Sequence, residues 1–164
     1  MLNKMFFKEV LIATTLLAAS GYTVMAQAHC LNNQTITNNS NNFQWDTYVA
    51  VCPAGTTGLS GRISKQAGTG SVSMEIGKGT FAHTTASDAT ITASSCDAVT
   101  GNITAAASAV TVPTVNGGPG QYTIMVSKNS SNSHTYDMEW HCVNNDAPEG
   151  QDDPAVEIQN INNH

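Results

Sequence analysis

The chain has 164 residues, a formal net charge of minus six and an aromatic content of only 6 %. An acidic protein of this kind repels polyanions, so DNA and RNA are excluded as natural partners. The length suits one domain with a buried core and leaves no room for a second.

The first 28 residues have the pattern of a signal peptide. Lys4 and Lys8 precede an apolar run at residues 10–19, and Ala26 and Ala28 supply the small residues of a cleavage site. The pattern predicts cleavage after Ala28 and a secreted or periplasmic protein. A cut after Ala26 and a pilin-type leader are the alternatives. Ten apolar residues are too few for the roughly 20 of a membrane span, so we expect none after processing.

The processed chain, residues 29–164, contains four Lys or Arg and eleven Asp or Glu, which gives a net charge of minus seven. Residues 29–42 form an Asn-rich arm that leads to the first core strand, joins a sheet edge or drives assembly. Residues 144–164 form an acidic tail, predicted to be solvated. The domain itself is expected over residues 43–143.

Period-two patterns dominate this domain and predict strands. The first covers residues 43–52. Residues 59–63 and 72–76 alternate in the same way around a glycine-containing turn and predict a hairpin. Residues 80–93 are Thr-rich and predict one or two short strands. Residues 105–112 end on Pro113 and predict an edge strand.

The last two strands have the clearest signals. The glycine-rich turn at residues 116–120 precedes an alternating strand. Residues 134–142 place Tyr136, Met138 and Trp140 on one face, and Asp137, Glu139 and His141 on the other. The sequence therefore predicts an all-β fold, an antiparallel β-sandwich of jelly-roll or immunoglobulin-like type with about seven or eight strands. A closed barrel is the alternative.

Four cysteines in an exported chain predict two disulfides. Their wide spacing lacks the CxxC pairs of zinc, haem or thioredoxin-like sites. Three pairings are possible. We favour Cys52 with Cys142 and Cys30 with Cys96, because Cys52 and Cys142 each end a strand pattern and a crosslink between two core strands closes a long loop.

Several motifs resemble the bacterial pre-peptidase C-terminal domain. They are Asp46-x-Tyr48 in the opening strand, residues 120–126 after the glycine-rich turn, and the closing Tyr136-Asp137-Met138. The resemblance covers residues 43–142 and implies a secreted β-sandwich that serves binding or secretion. The four cysteines and the lack of a peptidase domain depart from that family. The chain is also similar to small exported proteins of Gram-negative bacteria.

Cleavage after Ala28 would give His29 a free amine. This amine and the Nδ1 atom of His29 can chelate copper, and another imidazole would complete a three-nitrogen site for Cu(II). The arrangement resembles the histidine brace of copper-dependent polysaccharide monooxygenases. An exposed terminal histidine is the commoner situation. The second ligand is sought among the remaining histidines, which are His83, His134, His141 and His164. A Cys30–Cys142 disulfide would bring His141 next to His29.

The face with Asp137, Glu139 and His141 could hold a metal or act in acid–base chemistry, but such faces are more often solvated. Asp46 and Glu75 are expected to point outward, and Trp45 and Trp140 to be core or half-buried residues.

We expect an exported binding or structural module without catalytic residues or a cofactor. Residues 58–62 miss the hydrolase motif GxSxG because position 62 is Arg. A periplasmic copper-binding protein and a self-assembling surface subunit are the alternatives. The partner would be a protein, a cell-surface carbohydrate or another copy of the chain.

Overall fold

A computed structural model of the protein describes residues 29–37, 44–79, 82–97, 102–104, 109–144 and 158–162. The predicted signal peptide and most of the predicted tail lie outside these residues. The described residues form nine strands and no helix. In chain order the strands are β1 (Cys30–Ile36), β2 (Trp45–Cys52), β3 (Thr56–Ala67), β4 (Val72–Lys78), β5 (Ala82–Asp88), β6 (Val110–Val115), β7 (Gly120–Lys128), β8 (His134–Asn144) and β9 (Ile158–Asn162).

The strands form two antiparallel sheets. One has the order β1-β8-β3-β6, and the other has the order β5-β4-β7-β2-β9. The predicted antiparallel β-sandwich is therefore confirmed. The sheets extend beyond residues 43–143, because β1 comes from the Asn-rich arm and β9 from the acidic tail. β1 and β6 are the edges of the four-stranded sheet. The edge strand predicted over residues 105–112 corresponds to β6, which starts at Val110 and continues through Pro113 to Val115.

The core lies between the sheets and follows the predicted alternation. Strand β7 shows why: Tyr122, Ile124 and Val126 are buried, whereas the residues between them face outward. The preceding turn needs glycine, since Gly118 and Gly120 have φ values of 68° and 112°. Residues with a Cβ atom rarely adopt such positive φ values. The largest fully buried side chains are Trp140, Tyr48, Tyr122, Tyr136, Ile36, Leu59, Ile63, Met74, Ile76, Ile103, Ile124 and Met138.

The hairpin predicted from residues 59–63 and 72–76 is wrong. Strand β3 pairs with β8 and β6, whereas β4 pairs with β7 and β5 in the opposite sheet. Gly68 and Gly70, with φ values of 107° and 92°, lie where the chain passes from one sheet to the other. A period of two identifies a strand but does not select its partner.

The orientation of β2 also differs from expectation. Asp46 was expected to face outward but is 1 % exposed, and Trp45 is 41 % exposed on the outer face. Asp46 is buried because Tyr136 Oη donates to its Oδ2 atom at 2.5 Å, and the Tyr48 and Tyr136 hydroxyls lie 2.7 Å apart. Burial raises the pKa of Tyr48 to about 12, with a smaller rise from Asp46 and an opposing effect of the Tyr136 hydrogen bond. Hydrogen bonding thus allows a carboxyl group in the core.

Two disulfides are present, with the pairing favoured from the sequence. Cys52–Cys142 joins β2 to β8 and so connects the two sheets, with Cα atoms 5.6 Å apart. Cys30–Cys96 joins β1 to the chain after β5, with Cα atoms 5.7 Å apart. The first crosslinks the core strands and the second fastens a loop to a sheet.

Candidate functional site

The candidate site lies on the outer face of the four-stranded sheet. Because side chains alternate along β8, Asp137, Glu139 and His141 point away from the core. The expectation that such a face is solvated is wrong here, since all three are buried. For Asp137 and Glu139 the burial has a local cause, which is a loop that hydrogen-bonds to both side chains.

We call residues 89–97 and 102–104 the outer segment. Its Ser94 hydroxyl donates to Asp137 Oδ2 at 2.6 Å, and the main-chain N–H of Ile103 donates to Glu139 Oε2. The Cys30–Cys96 disulfide fastens this segment to β1, which lies beside β8. The outer segment therefore buries carboxylates by supplying hydrogen-bond donors.

Glu139 is in contact with several charged and polar groups of this face. Arg62 lies directly opposite on β3, and its Nε atom donates to Glu139 Oε1. Burial by itself would raise the pKa of Glu139. The contact with His141, the Ile103 N–H and the charge of Arg62 outweigh it, so the pKa of Glu139 is lowered. A carboxylate held by several donors keeps its negative charge in a buried position.

The structure brings His29 and His141 together. His29 precedes β1, and its carbonyl accepts a hydrogen bond from Trp140 N at 2.9 Å. The His29 and His141 ring centres are 5.9 Å apart, with an angle of 86° between the ring planes. The contact arises from the pairing of β1 with β8. It does not depend on a Cys30–Cys142 disulfide, because Cys142 is bonded to Cys52.

The surroundings of His141 fit a metal ligand. Its Nδ1 atom is buried without a hydrogen-bond partner, and its Nε2 atom is 3.8 Å from Glu139 Oε1. Metal-bound histidines commonly present one ring nitrogen to the metal and the other to a carboxylate. His141 and Glu139 also line a cavity of about 90 Å³ together with Arg62, which is room for a few water molecules; His29 is not among its lining residues.

The ring separation is compatible with a shared ion. Two imidazoles on one metal, each at about 2.0–2.1 Å from it, have ring centres roughly 4–6 Å apart. Within the described part of the chain, no three His, Cys, Asp or Glu side chains are grouped to hold a metal. Side chains thus supply two imidazoles here, and a third nitrogen would have to come from the main chain.

The other histidines have different environments. His83 lies on β5 in the opposite sheet, with Nδ1 at 2.8 Å from Glu75 Oε1. His134 begins β8 and is buried, with Nδ1 at 3.0 Å from the carbonyl oxygen of Asn132. His164 lies outside the described residues. Of the described histidines, His141 is the one in ring contact with His29.

No protein-family model, curated protein or solved structure matches the chain. The resemblance to the pre-peptidase C-terminal domain therefore stays a prediction. The described residues also include no helix that is long and apolar enough to cross a membrane.

Proposed function

We propose that the protein is an exported, non-catalytic binding module whose ligand is a copper ion. The observation that carries the proposal is the contact between the His29 and His141 rings. Cleavage after Ala28 would add the His29 amine, and the two rings and the amine would then offer three nitrogen donors, a set suited to Cu(II).

Export is supported by the two disulfides. Such crosslinks persist in the periplasm and outside the cell, whereas the cytosol keeps thiols reduced. The same compartments are where a signal peptidase would generate the His29 amine. Oxidation and cleavage would therefore both be complete before the site operates.

The residues around the ligands have distinct roles in this proposal. Glu139 Oε1 lies 3.8 Å from His141 Nε2, so the carboxylate would attract the Nε2–H side of the ring electrostatically and leave Nδ1 for the ion. Arg62 and the Ile103 N–H hold the Glu139 carboxylate in place. The outer segment limits access of water to that carboxylate. Bound copper would supply a positive charge beside these groups.

A copper titration of the processed protein tests the proposal. Protein that begins at His29 should bind one Cu(II) per chain in competition with a chelator. His29→Ala and His141→Ala should each weaken binding at least 100-fold, because each removes a ligand. His83→Ala is the matched control and should bind copper like the wild type, since His83 lies on the other sheet.

A second preparation isolates the amine. Protein whose His29 amine is acetylated keeps both rings but loses the amine as a ligand, so its copper binding should be weakened as in His29→Ala. Equal binding by all variants would refute the site. An exported protein whose intact mass places Gln27 first would also refute it.

A further inference from the structure

The five-stranded sheet carries a groove where β2 begins and β7 ends. We call it the Trp45 groove. It encloses about 620 Å³, and its lining residues are Gln44, Trp45 and residues 127–131. A volume of this size is typical of small-molecule sites. The Trp45 groove belongs to the opposite sheet from His29 and His141, so it is separate from the proposed copper site.

Gln44 is the first sign that the groove takes a ligand. Its side chain is only 3 % exposed, yet neither Oε1 nor Nε2 has a hydrogen-bond partner. The Ser130 Oγ atom in the same groove is also buried without a partner. Buried polar atoms are nearly always hydrogen-bonded in folded proteins. A polar ligand in the groove would satisfy both residues.

Trp45 is the second sign. Trp45 is 41 % exposed, so a flat aromatic surface is accessible to a ligand in the groove. Strand pairing places Trp45 directly opposite Ser127, and both residues line the groove together with Gln44 and Ser130. The site thus combines an apolar platform with groups that both donate and accept hydrogen bonds.

The charge of the groove argues against an anionic ligand. Lys128 is its one cationic lining residue, and the Lys128 amine donates to the carbonyls of Thr37 and Asn132 at 2.7 and 2.9 Å. Both hydrogen bonds direct the amine at main-chain carbonyl groups. No acidic side chain is among the lining residues, so the groove has no carboxylate for a cationic ligand either.

We propose that the Trp45 groove binds a neutral saccharide. The C–H face of a sugar ring would pack on the indole of Trp45. Sugar hydroxyls both donate and accept, so they can pair with the Gln44 amide and the Ser130 hydroxyl. This inference goes beyond the copper proposal and does not depend on it.

Tryptophan fluorescence gives the first test. The chain has two tryptophans, and Trp140 is shielded in the core, so a change caused by a groove ligand reports on Trp45. The probes are soluble oligomers of N-acetylglucosamine, of β-1,4-linked glucose and of mannose, with acetyl-trialanine amide as a neutral peptide probe. At least one saccharide should give a saturable change at millimolar concentration.

Calorimetry with that saccharide then locates the site. Trp45→Ala and Gln44→Ala should each weaken binding at least tenfold. Val51→Ala is the matched control, because Val51 is another exposed apolar residue on the same face of β2, and it should bind like the wild type. Trp45 is exposed, so its replacement leaves the core intact, and a thermal unfolding curve checks this.

Three results would overturn the saccharide proposal. They are no response to any of the saccharides, binding of the peptide alone, and undiminished binding by folded Trp45→Ala and Gln44→Ala. None of these results alters the copper titration, so the two proposals fail separately.

Discussion

The two faces of β8 are both buried, but by different means. On the inner face, Tyr136, Met138 and Trp140 meet side chains of the opposite sheet, and burial of apolar surface stabilises the contact. On the outer face, Asp137 and Glu139 meet hydroxyl and main-chain donors of the outer segment. Apolar contacts on the inner face do not require exact donor and acceptor positions. On the outer face, loss of one donor leaves a buried carboxylate without a hydrogen bond in a region of low dielectric constant, which is costly.

Each face also has its own disulfide. Cys52–Cys142 joins strands that are already held by ladders in both sheets, whereas Cys30–Cys96 fastens a segment that contributes only isolated bridges. The comparison predicts that breaking the inner crosslink lowers global stability most. Breaking Cys30–Cys96 should chiefly release the outer segment and expose the outer face of β8 to solvent. Four sets of substitutions test this difference, from the largest expected effect to the smallest.

Replacement of Cys52 and Cys142 by Ala should lower the free energy of unfolding by about 4 kcal/mol. The disulfide spans 90 residues, so its loss releases a long closed loop in the unfolded chain. Urea denaturation of the double variant under non-reducing conditions measures the effect. A loss below that of the Cys30, Cys96 double variant would reverse the comparison.

Tyr136→Phe should cost about 3 kcal/mol, because hydrogen bonds to a carboxylate are among the strongest in a core. The variant removes the hydroxyl that donates to Asp46 and contacts Tyr48. Tyr122→Phe is the control, since the Tyr122 hydroxyl donates to the Gly118 carbonyl instead. Chemical denaturation should show the smaller loss for Tyr122→Phe, and equal losses would contradict a special role of the hydrogen bonds among Asp46, Tyr48 and Tyr136.

Replacement of Cys30 and Cys96 by Ser should lower the free energy of unfolding by about 2 kcal/mol. The effect is smaller than for the inner pair because the released segment also regains freedom in the folded state. Hydrogen exchange of the Ile103 amide should accelerate far more than that of Ile124 in β7. Unchanged exchange at Ile103 would show that the disulfide does not hold the outer segment in place.

Glu139→Gln should cost about 1 kcal/mol at pH 7, since a neutral amide makes weaker hydrogen bonds than a carboxylate. The folded state lowers the pKa of Glu139 below 4.5. Its charge therefore stabilises the fold above that pH, and the benefit is lost as the pH falls further. The difference between wild type and variant should shrink on acidification.

Glu75→Gln is the control for the Glu139→Gln substitution. Glu75 pairs with His83 at the surface, where such pairs contribute little. Unfolding curves at several pH values compare the two variants. A Glu139→Gln difference that grows as the pH falls would contradict the assigned direction of the pKa shift.

The alternation of side chains explains what the sequence could predict. It locates β7 and β8, their core residues and the favoured cysteine pairing, because a period of two and the ends of strands are local features. It does not say which face of β2 is inside. The orientation of β2 depends on Tyr136, which is distant in sequence and donates the hydrogen bond that allows Asp46 to be buried. The partners of β3 and β4 are likewise distant in sequence, since β3 pairs with β8 and β4 with β7, and a local pattern does not reveal them.

The candidate site was only partly predictable. His29 and His141 were both singled out, but their proximity depends on the register of β1 against β8, which the Asn-rich arm does not reveal. The outer segment has no periodic pattern, so its burial of Glu139 and the role of Arg62 were not foreseen. Cys96 was the available signal: a cysteine within a Ser- and Thr-rich loop implies that this loop is held against another element.

Electron paramagnetic resonance of the copper-loaded protein tests the central claim most directly. Protein that begins at His29 should give a single Cu(II) signal with coupling to three nitrogens, and His141→Ala should remove one of these couplings. A spectrum of weakly bound copper with oxygen ligands, or one that His141→Ala leaves unchanged, would contradict a site built from His29 and His141.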